Sequence, residues 1–216
     1  MPHVDMARAA AVRRGVRLEV ITVAWMVAEA VIAVGAGVAA KSVLLTAFGF
    51  DAVVELLSGI VLLQLLATEA GGADSGRVER LERTTTRISA VLLVLLCAYV
   101  VLTSVAGLAI RIKPEPSVIG LGVAAVALVA MPLLARAKRG INRVINSASL
   151  RADIAETLSC AYLAAITLAG IGLSMVLGWW WAEYVAAFAL LIWLVPETRE
   201  AVEAALRGTV GDEPGR

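Results

Sequence analysis

The chain has 216 residues, of which 60% are hydrophobic and 17% are charged, and its mean hydropathy is +0.87. This composition excludes an ordinary soluble domain and indicates a helical protein that crosses a membrane several times. The formal net charge of +1 gives no sign of a nucleic-acid partner. The length suits a single bundle of helices.

Six hydrophobic stretches predict six membrane-spanning helices, at residues 18–40, 42–68, 86–110, 118–135, 152–177 and 180–195. Most are close to the ~20 residues that cross the hydrocarbon core, and the sixth is short unless its helix continues. After Pro196, residues 197–207 are expected to extend the sixth helix at the membrane surface. The sequence therefore predicts an all-α, polytopic membrane protein with a six-helix transmembrane bundle.

The Lys and Arg residues predict the orientation of this bundle. All but three of the 19 lie in the N-terminal segment, beside the connections between spans two and three and between spans four and five, or after span six. Because cytoplasmic segments are enriched in Lys and Arg, both termini are expected in the cytoplasm and the protein in the inner (cell) membrane. The predicted organisation is a cytoplasmic tail at 1–17, a membrane domain at 18–205 and a disordered tail at 206–216. Residues 136–151 are interpreted as a basic loop, in which the basic run at 136–143 is a topology signal that also contacts anionic lipid.

Four acids and one cysteine lie inside the predicted spans in helical register. Asp51 and Glu55 are four residues apart in the second span, and Asp153, Glu156 and Cys160 follow one face of the fifth. A carboxylate at the centre of a spanning helix costs about 2.5–3.5 kcal/mol, so several of them need compensation. A divalent cation or a shared set of protons is the simplest compensation. These five residues are therefore the candidate metal ligands.

Structural interpretations of the same residues stay open. Asp51 and Glu55 could form a polar clamp between helices, although no Lys or Arg is expected at their depth. Asp153 could instead cap the N-terminus of the fifth helix, and Arg151 could pair with Asp153 or Glu156 at the membrane boundary.

Other polar groups in the spans also have two interpretations. Glu29, in the middle of the first span, could carry protons, support the candidate site or bond to a neighbouring helix. Glu183 follows three tryptophans at the outer boundary, where solvation by water and structural anchoring are expected. Cys97 and Cys160 could be ordinary buried residues, and nothing in their placement suggests a disulfide.

Three segments together resemble the cation diffusion facilitator family of transporters. Residues 50–58 (FDAVVELLS) are similar to the family's acid-xxx-acid-xx-Ser pattern in helix two. Residues 150–153 (LRAD) are similar to its Ala-Asp entry to helix five, and residues 181–183 (WAE) to its Trp-Ala-Asp entry to helix six. The resemblance covers about residues 15–205 and includes the six spans and the cytoplasmic termini.

The resemblance implies a homodimer that exports divalent cations by alternating access, in exchange for protons, from a four-ligand site on helices two and five. Carried over by position, the ligands are Asp51, Glu55, Glu156 and Cys160, where Glu156 and Cys160 replace the usual His and Asp. Asp153 could take one of these roles. A cysteine thiolate favours zinc or cadmium, whereas an all-oxygen site favours manganese, iron or cobalt. The metal is then a transported substrate, and no prosthetic group is expected.

Two departures from the family pattern support a different function. The usual His is missing, and the cytoplasmic metal-binding domain that most relatives carry after helix six is expected to be absent. A non-transporting membrane scaffold or partner subunit is therefore the alternative. The chain has no phosphate-binding glycine loop, no Ser-His-Asp set and no CxxC motif. Neither an enzyme nor a nucleic-acid-binding protein is expected.

Overall fold

The computed structural model describes residues 2–71 and 75–210, which form helices joined by short connections and contain no β-strand. In chain order the helices are α1 (Pro2–Ala39), α2 (Val43–Gly71), α3 (Ser75–Ala109), α4 (Val118–Ile145), α5 (Ala148–Leu177) and α6 (Ala182–Val210). The prediction of an all-α, six-helix bundle is confirmed.

Five helical segments within the described residues are long and apolar enough to cross a membrane. They are Ala10–Ala39, Val43–Thr68, Arg83–Ala109, Val118–Ile145 and Ser149–Leu177. The chain is therefore an integral, multi-pass membrane protein. The remaining helix, α6, continues through Pro196 into a polar segment, as the sequence predicts, and packs against α2, α3 and α5.

Three predicted boundaries are corrected by the structure. Helix α1 begins at Pro2, so the predicted tail at 1–17 is largely helical, and α6 continues to Val210, into the predicted disordered tail. Residues 211–216 lie outside the described residues. Helix α4 runs to Ile145, so the predicted basic loop at 136–151 is reduced to a two-residue corner between α4 and α5. The extensions of α1 and α4 have buried faces: a second apolar cluster contains Ala11, Val12, Leu62, Leu66, Ala135, Ile145, Leu150 and Ile154.

Three connections meet at one end of the bundle. The backbone N–H of Glu115, between α3 and α4, donates to Ala40 O at 2.7 Å, and Lys41 Nζ pairs with Glu115 Oε1 at 3.1 Å. The Tyr184 hydroxyl on α6 donates to Ile112 O at 2.9 Å. The start of α1 and the end of α6 lie at the opposite end of the bundle, near which most of the Lys and Arg residues fall in the sequence. By the positive-inside rule we expect that end to face the cytoplasm, and we call it the cytoplasmic end.

Close contacts through glycine set the positions of α2 and α5. A Cβ atom on Gly49 of α2 would lie 2.6 Å from Val34 N, so the backbones of α1 and α2 are in near contact. A Cβ on Gly170 of α5 would lie 2.6 Å from Ala186 Cβ on α6. Small residues allow such close packing between membrane helices. As a result α2 occupies the centre of the bundle, where it contacts α1, α3, α5 and α6.

Candidate metal centre

The two acids of α2 point into the bundle and away from lipid. Asp51 is 3% exposed and Glu55 is 4% exposed. Both are buried although α2 also carries many apolar residues that could have been buried in their place. Because α2 is enclosed by four other helices, its inward face has no contact with lipid at this level. The expectation that Asp51 and Glu55 share an inward face is met, and α2 and α5 are neighbours as predicted.

The thiol of Cys160 links α5 to both α1 and α2. Its Sγ atom donates to Glu29 Oε1 at 3.7 Å and also contacts the carboxyl group of Glu55. Cys160 and Glu29 are each 1% exposed. Glu29 therefore makes the predicted bond to a neighbouring helix, and Cys160 lies against the acids rather than in a purely apolar region.

Five carboxyl groups from four helices form one acidic cluster, defined as Glu29, Asp51, Glu55, Glu156 and Glu197. Asp51 interacts electrostatically with Glu29, Glu156 and Glu197. Glu55 interacts electrostatically with Asp51, Glu29 and Glu156. Glu156 also contacts the side chain of Ser58. Buried carboxylates that repel one another need a cation or protons for stability.

Two oxygen atoms of this cluster have no hydrogen-bond partner within the described part of the chain. They are Glu29 Oε2 and Glu55 Oε2, and both are inaccessible to solvent. A buried polar atom without a partner costs about 1–3 kcal/mol, and more when it is charged. These two atoms are therefore the places where an added proton or cation would be most strongly stabilised.

A cavity of about 510 Å³ leads from the cytoplasmic end to two members of this cluster, Glu156 and Glu197. It lies between α2, α3, α5 and α6 and extends from the exposed residues Ser149 and Glu200 to Val54 beside Glu55. Its polar lining consists of Ser58, Thr85, Thr86, Ser89, Ser149, Asp153, Glu156, Glu197 and Glu200. The cavity thus connects the cytoplasmic end with Glu156 and Glu197, whereas Asp51, Glu55 and Glu29 do not line it.

Asp153 belongs to a different structure, a buried ionic triad with Lys138 and Glu19. Lys138 Nζ lies 2.6 Å from Asp153 Oδ2 and 3.0 Å from Glu19 Oε2. The Lys138 and Glu19 side chains are each 1% exposed and that of Asp153 is 6% exposed. The interpretation of Lys138 as part of a basic loop in contact with lipid is wrong, because its side chain is buried inside the bundle. Asp153 already has a cation, so it is a poor candidate for a metal ligand.

The two structural alternatives for Asp153 are also wrong. The N-cap of α5 is Ser147, whose side chain accepts from Leu150 N. Within the described residues Arg151 forms no ion pair with an acid, and its Nη1 donates to Asn146 Oδ1 at 2.9 Å. The N-cap prediction failed because the helix begins one turn earlier than expected.

The acid at the outer end is buried and has a structural partner. Glu183 is 3% exposed, and its carboxylate accepts a short hydrogen bond from the Ser42 hydroxyl at the start of α2. The prediction that it anchors the outer end is confirmed, but the expected solvation by water is not found. This contact, with those of Glu115 and Tyr184, closes the outer end of the bundle.

The ligand set itself stays a prediction. Within residues 2–71 and 75–210, no three His, Cys, Asp or Glu side chains are grouped closely enough to hold one metal ion. Four of the predicted ligands are neighbours: Asp51, Glu55, Glu156 and Cys160. Their side chains would have to move closer together to bind one ion.

Sequence reasoning missed Glu19, Lys138 and Glu197. Lys138 could have been found, because it continues the buried stripe of α4 formed by Gly120, Ala124, Ala127, Met131 and Ala135. Glu19 continues a corresponding stripe of α1 that includes Val12, Met26 and Ala33. The position of Glu197 depends on how α6 packs, which no pattern within α6 specifies.

Comparison with known proteins gives no assignment: no protein-family model matches the chain, and none of the curated proteins is significantly similar in sequence.

Proposed function

We propose that the protein transports divalent cations across the membrane and exports zinc-like or cadmium-like ions in exchange for protons. The observation that carries this proposal is the acidic cluster, two members of which, Glu156 and Glu197, line a cavity that opens at the cytoplasmic end. Within residues 2–71 and 75–210, no Lys or Arg side chain forms an ion pair with a member of the cluster, and two of the buried oxygens have no hydrogen-bond partner. The resemblance of helices two, five and six to cation diffusion facilitators supports the same proposal.

The path begins at the cytoplasmic end. A hydrated cation would enter the cavity past Glu200 and meet Glu197 and Glu156, whose oxygens attract divalent ions. It would then lose water and move towards Asp51 and Glu55. Because these donors are separate in this structure, binding requires α2 and α5 to close around the ion. The closed outer end and the open inner cavity correspond to an inward-facing conformation.

Proton exchange uses the same carboxyl groups. Without a cation, burial favours the protonated form of a carboxyl group, and the unpartnered oxygens of Glu29 and Glu55 are suited to hold protons. Metal binding requires deprotonated ligands, so protons and cations compete for the cluster. Opening to the outer side would expose the site to protons, which would displace the cation.

The choice of cation depends on Cys160. As a thiolate it would make the site selective for soft ions such as cadmium and zinc. In this structure Cys160 Sγ lies 3.7 Å from Glu29 Oε1, an arrangement suited to a thiol that donates to the carboxylate. If it stays protonated during binding, the ligands are oxygens alone and the alternative substrates are manganese, iron and cobalt. Homodimer formation is part of the proposal through the family resemblance.

Transport can be tested with purified protein in liposomes that contain a metal-sensitive dye and carry an imposed pH gradient. We expect zinc or cadmium flux in the wild type that depends on the gradient and is lost in Asp51→Asn and Glu55→Gln. Glu203→Gln is the matched control, because it removes one carboxylate from α6 outside the cavity. The same assay is run with manganese, iron and cobalt and with the pH gradient in each direction. If the wild type transports none of these five metals in either direction, the chain is not a transporter, and a scaffold or partner subunit becomes the better interpretation.

A further inference from the structure

A second groove, separate from the acidic cluster, lies on the bundle surface where α4 meets α5. It has a volume of about 480 Å³, and its rim carries the guanidinium groups of Arg139, Arg143 and Arg151. All three side chains are exposed. The groove lies at the cytoplasmic end of the bundle, at the level where the helices leave the hydrocarbon core.

The corner between α4 and α5 holds this groove in one shape. Asn146 caps α4 in the left-handed conformation, with φ 55° and ψ 41°. The side chain of Asn142 accepts from Ser147 N at 2.8 Å, and that of Asn146 accepts from Arg151 Nη1 at 2.9 Å. Both asparagines also line the groove. One arginine is thus fixed across the corner, and the rim is ordered before any ligand arrives.

The charges on the rim have no internal counterion. Within the described part of the chain, no carboxylate forms an ion pair with Arg139, Arg143 or Arg151. The helix dipole stabilises a cation in the last turn of a helix, and of the three arginines only Arg143 has this position. Three neighbouring cations repel one another, so an anion between them would be stabilising. A phosphate group matches the paired N–H donors of guanidinium groups.

The wall of the groove identifies the kind of phosphate. Below the arginines the lining is Ile154, Ala155 and Leu158, which lie on the membrane-spanning part of α5. We propose that the groove binds an anionic phospholipid of the cytoplasmic leaflet. The three arginines would hold its phosphate, and the apolar wall would carry the start of an acyl chain. A free phosphate ion would use the arginines but not the wall. Basic pockets between helices at this membrane surface are suited to such headgroups.

The proposal can be tested by native mass spectrometry of the detergent-solubilised protein with added phosphatidylglycerol or phosphatidylcholine. We expect one phosphatidylglycerol to be retained per chain in preference to phosphatidylcholine. The groove variant combines Arg139→Gln, Arg143→Gln and Arg151→Gln, and it should bind the first lipid about tenfold more weakly than the wild type. The control variant combines Arg13→Gln, Arg17→Gln and Arg207→Gln. It loses the same charge at the same end and should bind like the wild type.

Two further measurements separate a lipid site from simpler explanations. Ala155→Phe fills the apolar wall without changing charge, and it should also weaken lipid retention, which keeps the test valid if the triple variant does not fold. A molar excess of inorganic phosphate should displace little phosphatidylglycerol. Equal lipid binding by the groove and control variants would overturn the proposal in favour of general attraction to basic residues. Full displacement by inorganic phosphate, with no effect of Ala155→Phe, would show a site for the free anion instead.

Discussion

The buried triad of Glu19, Lys138 and Asp153 makes a strong prediction about stability. Lys138→Met keeps most of the side-chain volume but removes the ammonium group that lies 3.0 Å and 2.6 Å from the two carboxylates. Since neither acid is more than 6% exposed, water can only partly replace that cation. Breaking a buried pair by removing one partner costs about 3–5 kcal/mol. We expect a loss of folding free energy in this range.

Reversible unfolding in mixed detergent micelles, followed by circular dichroism, measures this loss. Lys41→Met is the matched control, because its ion pair with Glu115 is 63% and 62% exposed and should contribute at most about 1 kcal/mol. Combining Lys138→Met with Glu19→Gln and Asp153→Asn removes all three charges and should restore most of the stability. If Lys138→Met is no more destabilising than Lys41→Met, the triad is not buried as described. If the triple variant stays as unstable as Lys138→Met, unpaired charge is not the cause.

Three further predictions concern other parts of the molecule. Cys160→Ser should weaken cadmium and zinc binding while changing manganese binding little, as measured by calorimetric titration; equal cadmium affinity in variant and wild type would leave an oxygen-only site. Gly49→Ala should destabilise the protein by about 1–3 kcal/mol in the same unfolding assay, because the new Cβ would overlap the backbone of Val34; an unchanged stability would show that α1 and α2 can separate freely. A hydrogen bond from Arg199, with Arg207 nearby, lowers the pKa of Glu203 on the polar part of α6. A lowered pKa stabilises the fold above the unfolded-state pKa, and this contribution disappears as the pH falls through the folded-state pKa. The difference in thermal midpoint between wild type and Glu203→Gln should therefore vanish at acidic pH, and a difference that persists there would contradict this reasoning.

The helices could be predicted from the sequence because each one depends on its own hydrophobic stretch. Their ends were harder to predict where a helix leaves the membrane. Around Lys138 and Ile145 the charged residues of α4 lower the hydropathy, although one face of the helix stays buried. An average over a stretch of sequence cannot distinguish such a half-buried helix from a loop. A search for buried stripes at helical spacing would have extended α4.

The candidate site was predictable in part, for a related reason. The spacing of Asp51 and Glu55 within α2 required their side chains to share a face. The approach of Glu29 and Glu197 depends on the rotation of α1 and α6 about their axes. That rotation is set by packing between helices, including the close contact at Gly49. No pattern within a single helix contains this information.

The difference between Asp153 and Glu156 shows how the rotation of α5 separates two roles. Three residues along a helix turn its direction by about 300°, so the two acids point about 60° apart. This angle directs Asp153 towards Lys138 on α4 and Glu156 towards Ser58 on α2. Cys160 lies one turn beyond Glu156 and contacts Glu55 and Glu29. Asp153 pairs with Lys138, whereas within the described residues no Lys or Arg forms an ion pair with Glu156. We therefore assign Asp153 to the stability of the bundle and Glu156 to the proposed binding of a transported cation.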